Sequence, residues 1–162
     1  MSRLGCLVLC LYAITTAAAE PPSPDLVAAT AAKLLGTWQC AGAFANGKPI
    51  ESQMTFESVL GGKWISYRHD DRPPNRYAAI GLWGKGTSHP FEATIFDNFG
   101  GHRLFVSEGW IANALTLENA ADPAKRQRFI FSMTDDGGLR MEYRVSRDGG
   151  EWTLGDYLNC KR

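Results

Sequence analysis

The sequence has no excess of either charge, because 17 Lys and Arg balance 17 Asp and Glu among its 162 residues. Nucleic-acid binding depends on basic residues that neutralise phosphates, and this balance offers no such surplus. Runs of like charge, which are typical of disordered tails, are also missing. Aromatic residues make up 11% of the chain and include five Trp, a composition that favours a packed core. We therefore expect a soluble globular protein that does not bind nucleic acid.

Residues that bind metals or act as nucleophiles are scarce. The only histidines are His69, His89 and His102, and the last two stand beside expected turns. Residues 20–162 contain no His-x-x-x-His or Cys-x-x-Cys pair typical of a metal site, and no Gly-x-Ser-x-Gly elbow of a hydrolase. The glycine pairs precede expected strands rather than helices, which is not the context of a phosphate-binding loop. The sequence therefore predicts no metal and no cofactor.

Only the start of the chain has a long hydrophobic run. Arg3 precedes an apolar stretch from Leu4 to Ile14, and residues 17–19 are all alanine. This order is typical of a signal peptide that is cleaved before Glu20. The run is shorter than the roughly 20 residues that a membrane-spanning helix needs. We predict a signal peptide over residues 1–19 and a periplasmic or secreted protein without a membrane span, with lipidation of an early cysteine as the alternative.

Cys40 and Cys160 are the two cysteines beyond that segment, and they stand near opposite ends of the remaining chain. Exported proteins fold where disulfides form, so we expect these cysteines to be bonded to each other. The bond would close a loop of about 120 residues, which in the chain-entropy model contributes on the order of 4–5 kcal/mol. It would also require the first and last strands to be neighbours. Two buried free thiols are the alternative.

A short helix is expected after a proline-containing linker at residues 20–24. Leu26 to Leu35 has apolar residues at the spacing of one helical face. Ser23 is the expected N-cap, with Pro24 in the first helical position. Gly36 is expected to end the helix. We assign residues 25–162 to a single β-barrel domain.

From Gly36 onward the apolar residues alternate with polar ones, and turn sequences such as Asn46-Gly47 and Gly100-Gly101 separate the runs. Short alternating runs at such spacing favour an antiparallel sandwich or barrel. The connections are too short for crossover helices, so consecutive strands should pair. Closure would remove the exposed edges of an open sheet. The fold class is therefore all-β, an up-and-down antiparallel barrel of about ten strands with a short N-terminal helix. The predicted strands are 37–44, 50–59, 63–70, 76–83, 90–97, 103–110, 113–119, 126–134, 139–146 and 151–160.

The alternation also predicts which side chains point into the barrel. In 103–110 we assign Leu104, Val106, Glu108 and Trp110 to one inward face. If the aromatic faces of the strands converge, they surround a cavity with apolar walls and few polar groups, which is typical of a binding pocket. The alternative is that the aromatic residues fill the barrel and the polar ones lie at its rims. The predicted ligand-binding residues are Tyr67, His69, Tyr77, Trp83, Asp97, Glu108, Trp110 and Tyr143.

Several short motifs resemble those of calycin barrels, which include the lipocalins, the fatty-acid-binding proteins and the nitrobindins. The Gly-x-Trp of the stretch from Leu34 to Trp38 resembles their opening, and the resemblance implies that Trp38 closes one end of the barrel. An uncharacterised bacterial family of exported calycin-like barrels resembles the chain more closely, over most of residues 34–160. Nitrobindins bind haem through a histidine near the C-terminus, whereas residues 156–162 contain none, so haem is not implied. The motifs shared with the exported family are Leu-x-Gly-x-Trp, Phe56-Glu57 followed by Gly61 to Trp64, Phe96-Asp97-Asn98, and Asp156-Tyr157.

Our leading hypothesis is an exported barrel that binds a small hydrophobic or aromatic molecule, which enters at the end opposite Trp38. One alternative is a cavity-based isomerase or cyclase, with Glu108 or Asp97 as the general base and His69 or Tyr143 as the proton donor. Another is a structural envelope domain with a filled barrel. Because no catalytic motif is present, we expect binding rather than catalysis, and the sequence does not assign a catalytic residue.

Overall fold

A computed structural model of the protein describes residues 25–119, 121–122 and 124–162. The predicted signal peptide at 1–19 and the linker at 20–24 lie outside the described residues. The described residues fold as one antiparallel sheet of eleven strands preceded by a short helix, which confirms the predicted all-β class.

Helix α1 spans Leu26–Leu34 and packs against one end of the sheet, called here the helix end. Its N-cap is Asp25, whose carboxylate accepts hydrogen bonds from the backbone N–H groups of Val27 and Ala28, each at 3.0 Å. The prediction of Ser23 as the N-cap is therefore wrong, because the carboxylate of Asp25 takes up these helical N–H groups. Among the described residues, no helix has the length and apolar character needed to cross a membrane.

The strands follow one another around a closed barrel. Consecutive strands pair from β1 to β6 and from β7 to β11, and β1 pairs with β11. A contact between Val106 of β6 and Glu118 of β8 closes the circle, so the two-residue β7 stands outside a ring of ten strands. The strands are β1 Gly36–Phe44, β2 Pro49–Val59, β3 Trp64–Asp71, β4 Ala78–Gly84, β5 Phe91–Asp97, β6 His102–Ser107, β7 Trp110–Ile111, β8 Ala114–Asn119, β9 Lys125–Met133, β10 Leu139–Arg147 and β11 Thr153–Lys161.

The disulfide joins the two ends of this circle. Cys40 and Cys160 are directly opposite each other in the β1–β11 pair, and their sulfur atoms are bonded. Both side chains are buried inside the barrel. The expected bond is thus confirmed, together with the neighbouring position of the first and last strands that it required.

Aromatic side chains fill the half of the barrel nearest α1. The Trp83 ring lies 5.3 Å from that of Phe56, 5.0 Å from Tyr67 and 5.3 Å from Phe131, measured between centroids. Trp38 is fully buried at the helix end, where its indole N–H donates to the Leu34 carbonyl at 2.8 Å. The packed-barrel alternative therefore describes this half of the molecule well.

The inward face of β6 differs from the prediction. Phe105 and Ser107 are buried, whereas Leu104 is 42% exposed on the outer surface. The strand ends at Ser107, so Glu108 and Trp110 do not continue it. The prediction followed the apolar character of alternate residues. Pairing with β5 decides the phase instead, because it places Phe105 beside the buried Ala93.

Candidate ligand cavity

The barrel contains a cavity of about 320 Å³ at the end opposite α1, called here the open end. Its floor and walls are apolar side chains that point inward from β2, β9, β10 and β11, namely Ile50, Phe129, Met141 and Leu158. Ligand pockets commonly measure roughly 300–1,000 Å³, so this one suits a small molecule. The site lies where ligand entry was predicted, at the end away from Trp38.

Aromatic side chains also form the mouth. The ring of Phe99, which is 74% exposed, stacks on that of Tyr77 with 6.4 Å between centroids. Phe44 and Tyr143 line the other side, and the ring of Tyr143 lies 5.1 Å from Phe129. A planar apolar molecule that entered here would meet aromatic faces on both sides.

A buried chain of hydrogen bonds runs along β3 into the cavity. The Tyr67 hydroxyl lies 3.0 Å from His69 Nδ1, and His69 Nε2 lies 3.0 Å from Asp71 Oδ1. Burial, followed by the nearby Tyr77 and carboxylates, raises the pKa of Tyr67 well above its ordinary value, so this hydroxyl keeps its proton. His69 therefore bridges the Tyr67 hydroxyl and the Asp71 carboxylate through its two ring nitrogens.

The hydrogen bonds of Tyr67, His69 and Asp71 leave one carboxylate oxygen of β3 available to a ligand. Both nitrogens of His69 are occupied by protein partners. The side chain of Asp71 is only 5% exposed and bonds through Oδ1. Among the described residues, nothing bonds to its second oxygen. His69 thus orients Asp71, and Asp71 presents an oxygen to the cavity.

Arg103 and Asp97 form an ion pair beside the cavity. The guanidinium donates to Asp97 Oδ2 at 2.6 Å and to the side-chain oxygen of Gln127 at 3.1 Å. The other carboxylate oxygen of Asp97 accepts the backbone N–H groups of Phe99 at 3.0 Å and Gly101 at 2.9 Å. Asp97 is fully engaged in shaping the turn after β5 and in neutralising Arg103. Both of its oxygens accept hydrogen bonds from the protein, and Asp97 does not line the cavity.

Asn98, the neighbour of Asp97, ties two loops of the mouth together. Its side-chain oxygen accepts from the Ala78 N–H at 3.0 Å, and its amide donates to the Arg76 carbonyl at 2.6 Å. The stretch Phe96-Asp97-Asn98 therefore holds the loop after β3 against the turn after β5. In this structure the motif sets the shape of the entrance.

Asp156 brings a second carboxylate to the wall, on β11 opposite Phe44 of β1 and Tyr143 of β10. A β-bulge fixes its position, because Gly155 is left out of the β10–β11 register. The ring of Tyr143 lies against this glycine, where an added Cβ would come within 2.8 Å of a ring carbon. No side chain among the described residues forms a hydrogen bond or ion pair with the Asp156 carboxyl.

The protonation of Asp156 reflects this setting. Burial raises the pKa of Asp156 to about 6; the nearby His69 opposes the rise and the nearby Asp71 adds to it. The ordinary value for an aspartate is about 4. Above its pKa the carboxyl is ionised in a largely apolar wall without a partner, which is a cost to the folded protein.

We expect Asp156→Asn to stabilise the protein at neutral and alkaline pH. Because the folded-state pKa is raised, the folded protein binds this proton more tightly than the unfolded one, and stability falls as pH rises from about 4 to about 6. The asparagine does not ionise, so the variant keeps the stability that the wild type loses over this pH range. Its free energy of unfolding should exceed that of the wild type by on the order of 2 kcal/mol at about pH 8, and the two should be equal near pH 4.

Urea unfolding at both pH values measures the effect. Asp135→Asn is the matched control, because Asp135 is exposed in the turn after β9 at the helix end. It should shift stability equally little at both pH values. A gain for Asp156→Asn that is the same at both pH values would contradict the burial argument.

Three of the predicted ligand-binding residues line the cavity: His69, Tyr77 and Tyr143. Tyr67 lies one layer deeper and reaches the site through its bond to His69. Trp83 belongs to the packed half. Asp97 lies outside the lining and acts on it through Arg103.

Glu108 and Trp110 lie at the helix end, away from the cavity. Glu108 is exposed beside α1. The indole N–H of Trp110 donates to the Thr30 hydroxyl at 3.0 Å, and the Lys33 ammonium lies 5.1 Å from its ring centroid. Their predicted inward position was wrong because β6 ends at Ser107. The acid–base sets that combined Glu108 or Asp97 with a proton donor in the cavity are therefore not assembled.

Sequence reasoning missed Asp71, Arg103 and Asp156. Alternation from His69 points to Asp71, but the predicted strand stopped one residue short of it. Alternation from the disulfide-bonded Cys160 through Leu158 points to Asp156. Arg103 was not predicted because the inward and outward faces of β6 were exchanged.

No protein-family model matches the chain, and a comparison with curated proteins also finds no match. Within the described residues, no group of three or more His, Cys, Asp or Glu side chains is arranged to hold a metal ion.

Proposed function

We propose that the protein is an exported barrel that binds a small, largely apolar or aromatic molecule in the open-end cavity. The observation that carries the proposal is the division of the barrel: one half is packed with aromatic rings, and the other holds a cavity with an aromatic mouth. Apolar walls with a few placed polar groups are characteristic of ligand sites. The buried disulfide suits a periplasmic or secreted protein, and the calycin-like resemblance implies the same use of the barrel.

Binding is a better fit than catalysis to the groups predicted as general bases and proton donors. Within the described residues, Asp97 and both nitrogens of His69 have protein partners. Burial raises the pKa values of Tyr77 and Tyr143, so their hydroxyls stay protonated and act as hydrogen-bond groups. Fixed groups of this kind orient a ligand without exchanging protons with it.

We expect flavonoids, or other fused-ring molecules of similar size, to bind saturably, whereas haem should exceed the cavity. Met141→Trp fills the cavity from its wall and should weaken binding about tenfold or more, since a displaced ligand loses its buried apolar contact. Isothermal titration calorimetry with a panel of flavonoids, retinoids, fatty acids and haem measures this.

Ile111→Trp is the matched control, because it adds the same ring at an exposed position of the helix end and should leave affinity unchanged. Ile50→Phe is a second filling variant in case Met141→Trp fails to fold, which circular dichroism reveals. Absence of saturable binding by every compound, or binding that both filling variants leave intact, would refute the proposal.

A further inference from the structure

The charges around the cavity are unbalanced toward negative. Asp71 and Asp156 both line it; among the described residues, one oxygen of Asp71 and both oxygens of Asp156 have no side-chain partner. Arg103 is neutralised by Asp97, and its guanidinium is shared with Gln127 and Tyr77. Arg76 is the other cation of the lining, and it is exposed at the mouth, where solvent screens its charge. The inner wall therefore has acceptors to offer and few donors.

Resting on the proposed function, we infer that the preferred ligand is an aromatic amine, whose protonated amino group bonds to Asp156 and Asp71 while its ring packs among Phe44, Phe129 and Tyr143. Two observations of different kinds lead to this class. Among the described residues, the Asp156 carboxyl and one oxygen of Asp71 have no protein partner on the cavity wall, and the remaining lining is rich in aromatic side chains.

A protonated amino group would offset the free-energy cost of burying these carboxylates. A carboxylate that is removed from water needs a hydrogen-bond donor, preferably a charged one. The nearby rings of Tyr143 and Phe129 would also face such a cation, which aromatic faces attract. An anionic ligand would meet two carboxylates, and the buried Nε of Arg103 has no exposed surface through which to bond to it.

Three probes with nearly the same body separate the effect of charge from that of shape: tryptamine, tryptophol and indole-3-propionate. They end in an ammonium, a hydroxyl and a carboxylate, respectively. Titration calorimetry of the full chain should give tryptamine the highest affinity, about tenfold or more above tryptophol, because a hydrogen bond to a charged group is stronger than a neutral one. Indole-3-propionate should bind weakest.

Asp156→Asn keeps the size of the side chain and removes its charge. We expect tryptamine affinity to fall about tenfold in this variant, to near that of tryptophol, while tryptophol affinity changes by less than about threefold. Asp135→Asn, with the same change of net charge at the exposed helix end, should leave all three affinities unchanged. Urea unfolding verifies that both variants are folded.

The inference is overturned if tryptamine does not bind, if it binds no better than tryptophol, or if Asp156→Asn leaves its affinity intact. A preference for indole-3-propionate would instead assign the site to anions held by Arg103. None of these results decides the proposed function. A neutral ligand that binds the wild type and binds the Met141→Trp variant weakly would still show that the cavity is a binding site.

Discussion

Removal of the disulfide, by the double variant Cys40→Ala and Cys160→Ala, is expected to lower the free energy of unfolding by about 4–5 kcal/mol. The bond spans a sequence separation of 120 residues, so it restricts most of the unfolded chain. In the entropic model a longer closed loop gives a larger effect. It also holds β1 to β11, the pair of neighbouring strands that are farthest apart in the sequence. A loss of this size is a large part of the 5–15 kcal/mol typical of a whole domain.

Reduction of the wild-type protein provides the test without changing any side chain. Denaturant unfolding with dithiothreitol should shift to a lower midpoint, close to that of the double variant, and the double variant should not respond to the reductant. Alanine is used because both cysteines are buried, and a serine hydroxyl would add its own burial cost. If reductant leaves the wild-type midpoint unchanged, the bond contributes no net stability.

The barrel could be predicted from the sequence because its signals are local. Turn sequences such as Asn46-Gly47 mark the ends of strands, and period-two alternation marks their lengths. The closure of the sheet was inferred from the exposed edges that an open sheet would leave, and the predicted pairing of Cys40 with Cys160 supported it independently. Strand β6 was misread because its outward residues are also apolar: Leu104 lies on the outer surface, where Leu82 of β4 is likewise exposed. Hydrophobic character alone cannot set the phase of such a strand.

The polar site was harder to predict because its members depend on distant partners. Asp97 looks like a free carboxylate in sequence, yet Arg103 and two backbone N–H groups occupy it. Asp156 looks like one more charge near a turn, yet the bulge at Gly155 places it on the cavity wall. Whether a carboxylate is satisfied or available is decided by neighbours on other strands, which alternation does not reveal.

Trp38→Ala is expected to lower the free energy of unfolding by about 3–5 kcal/mol, the range for a large aromatic residue removed from a core. Trp38 is fully buried at the helix end, and the Arg162 guanidinium lies 4.4 Å from its ring centroid. Arg162 also donates to the Lys33 carbonyl at 2.9 Å. The ring thus links β1, the C-terminus and the last turn of α1. Thermal and urea unfolding measure the loss.

Trp38→Phe separates packing from the indole hydrogen bond. It keeps an aromatic ring but removes the donor to the Leu34 carbonyl, so it should lower the free energy of unfolding by less than alanine does. The lost hydrogen bond should account for on the order of 1–2 kcal/mol, and the smaller ring adds a packing loss. Because Trp38 and the cavity occupy opposite ends of the barrel, this variant should bind tryptamine with wild-type affinity. Equal costs for alanine and phenylalanine would show that the hydrogen bond, rather than packing, holds this end. A changed affinity would show that the packed half and the cavity are coupled through the aromatic layer around Trp83 that separates them.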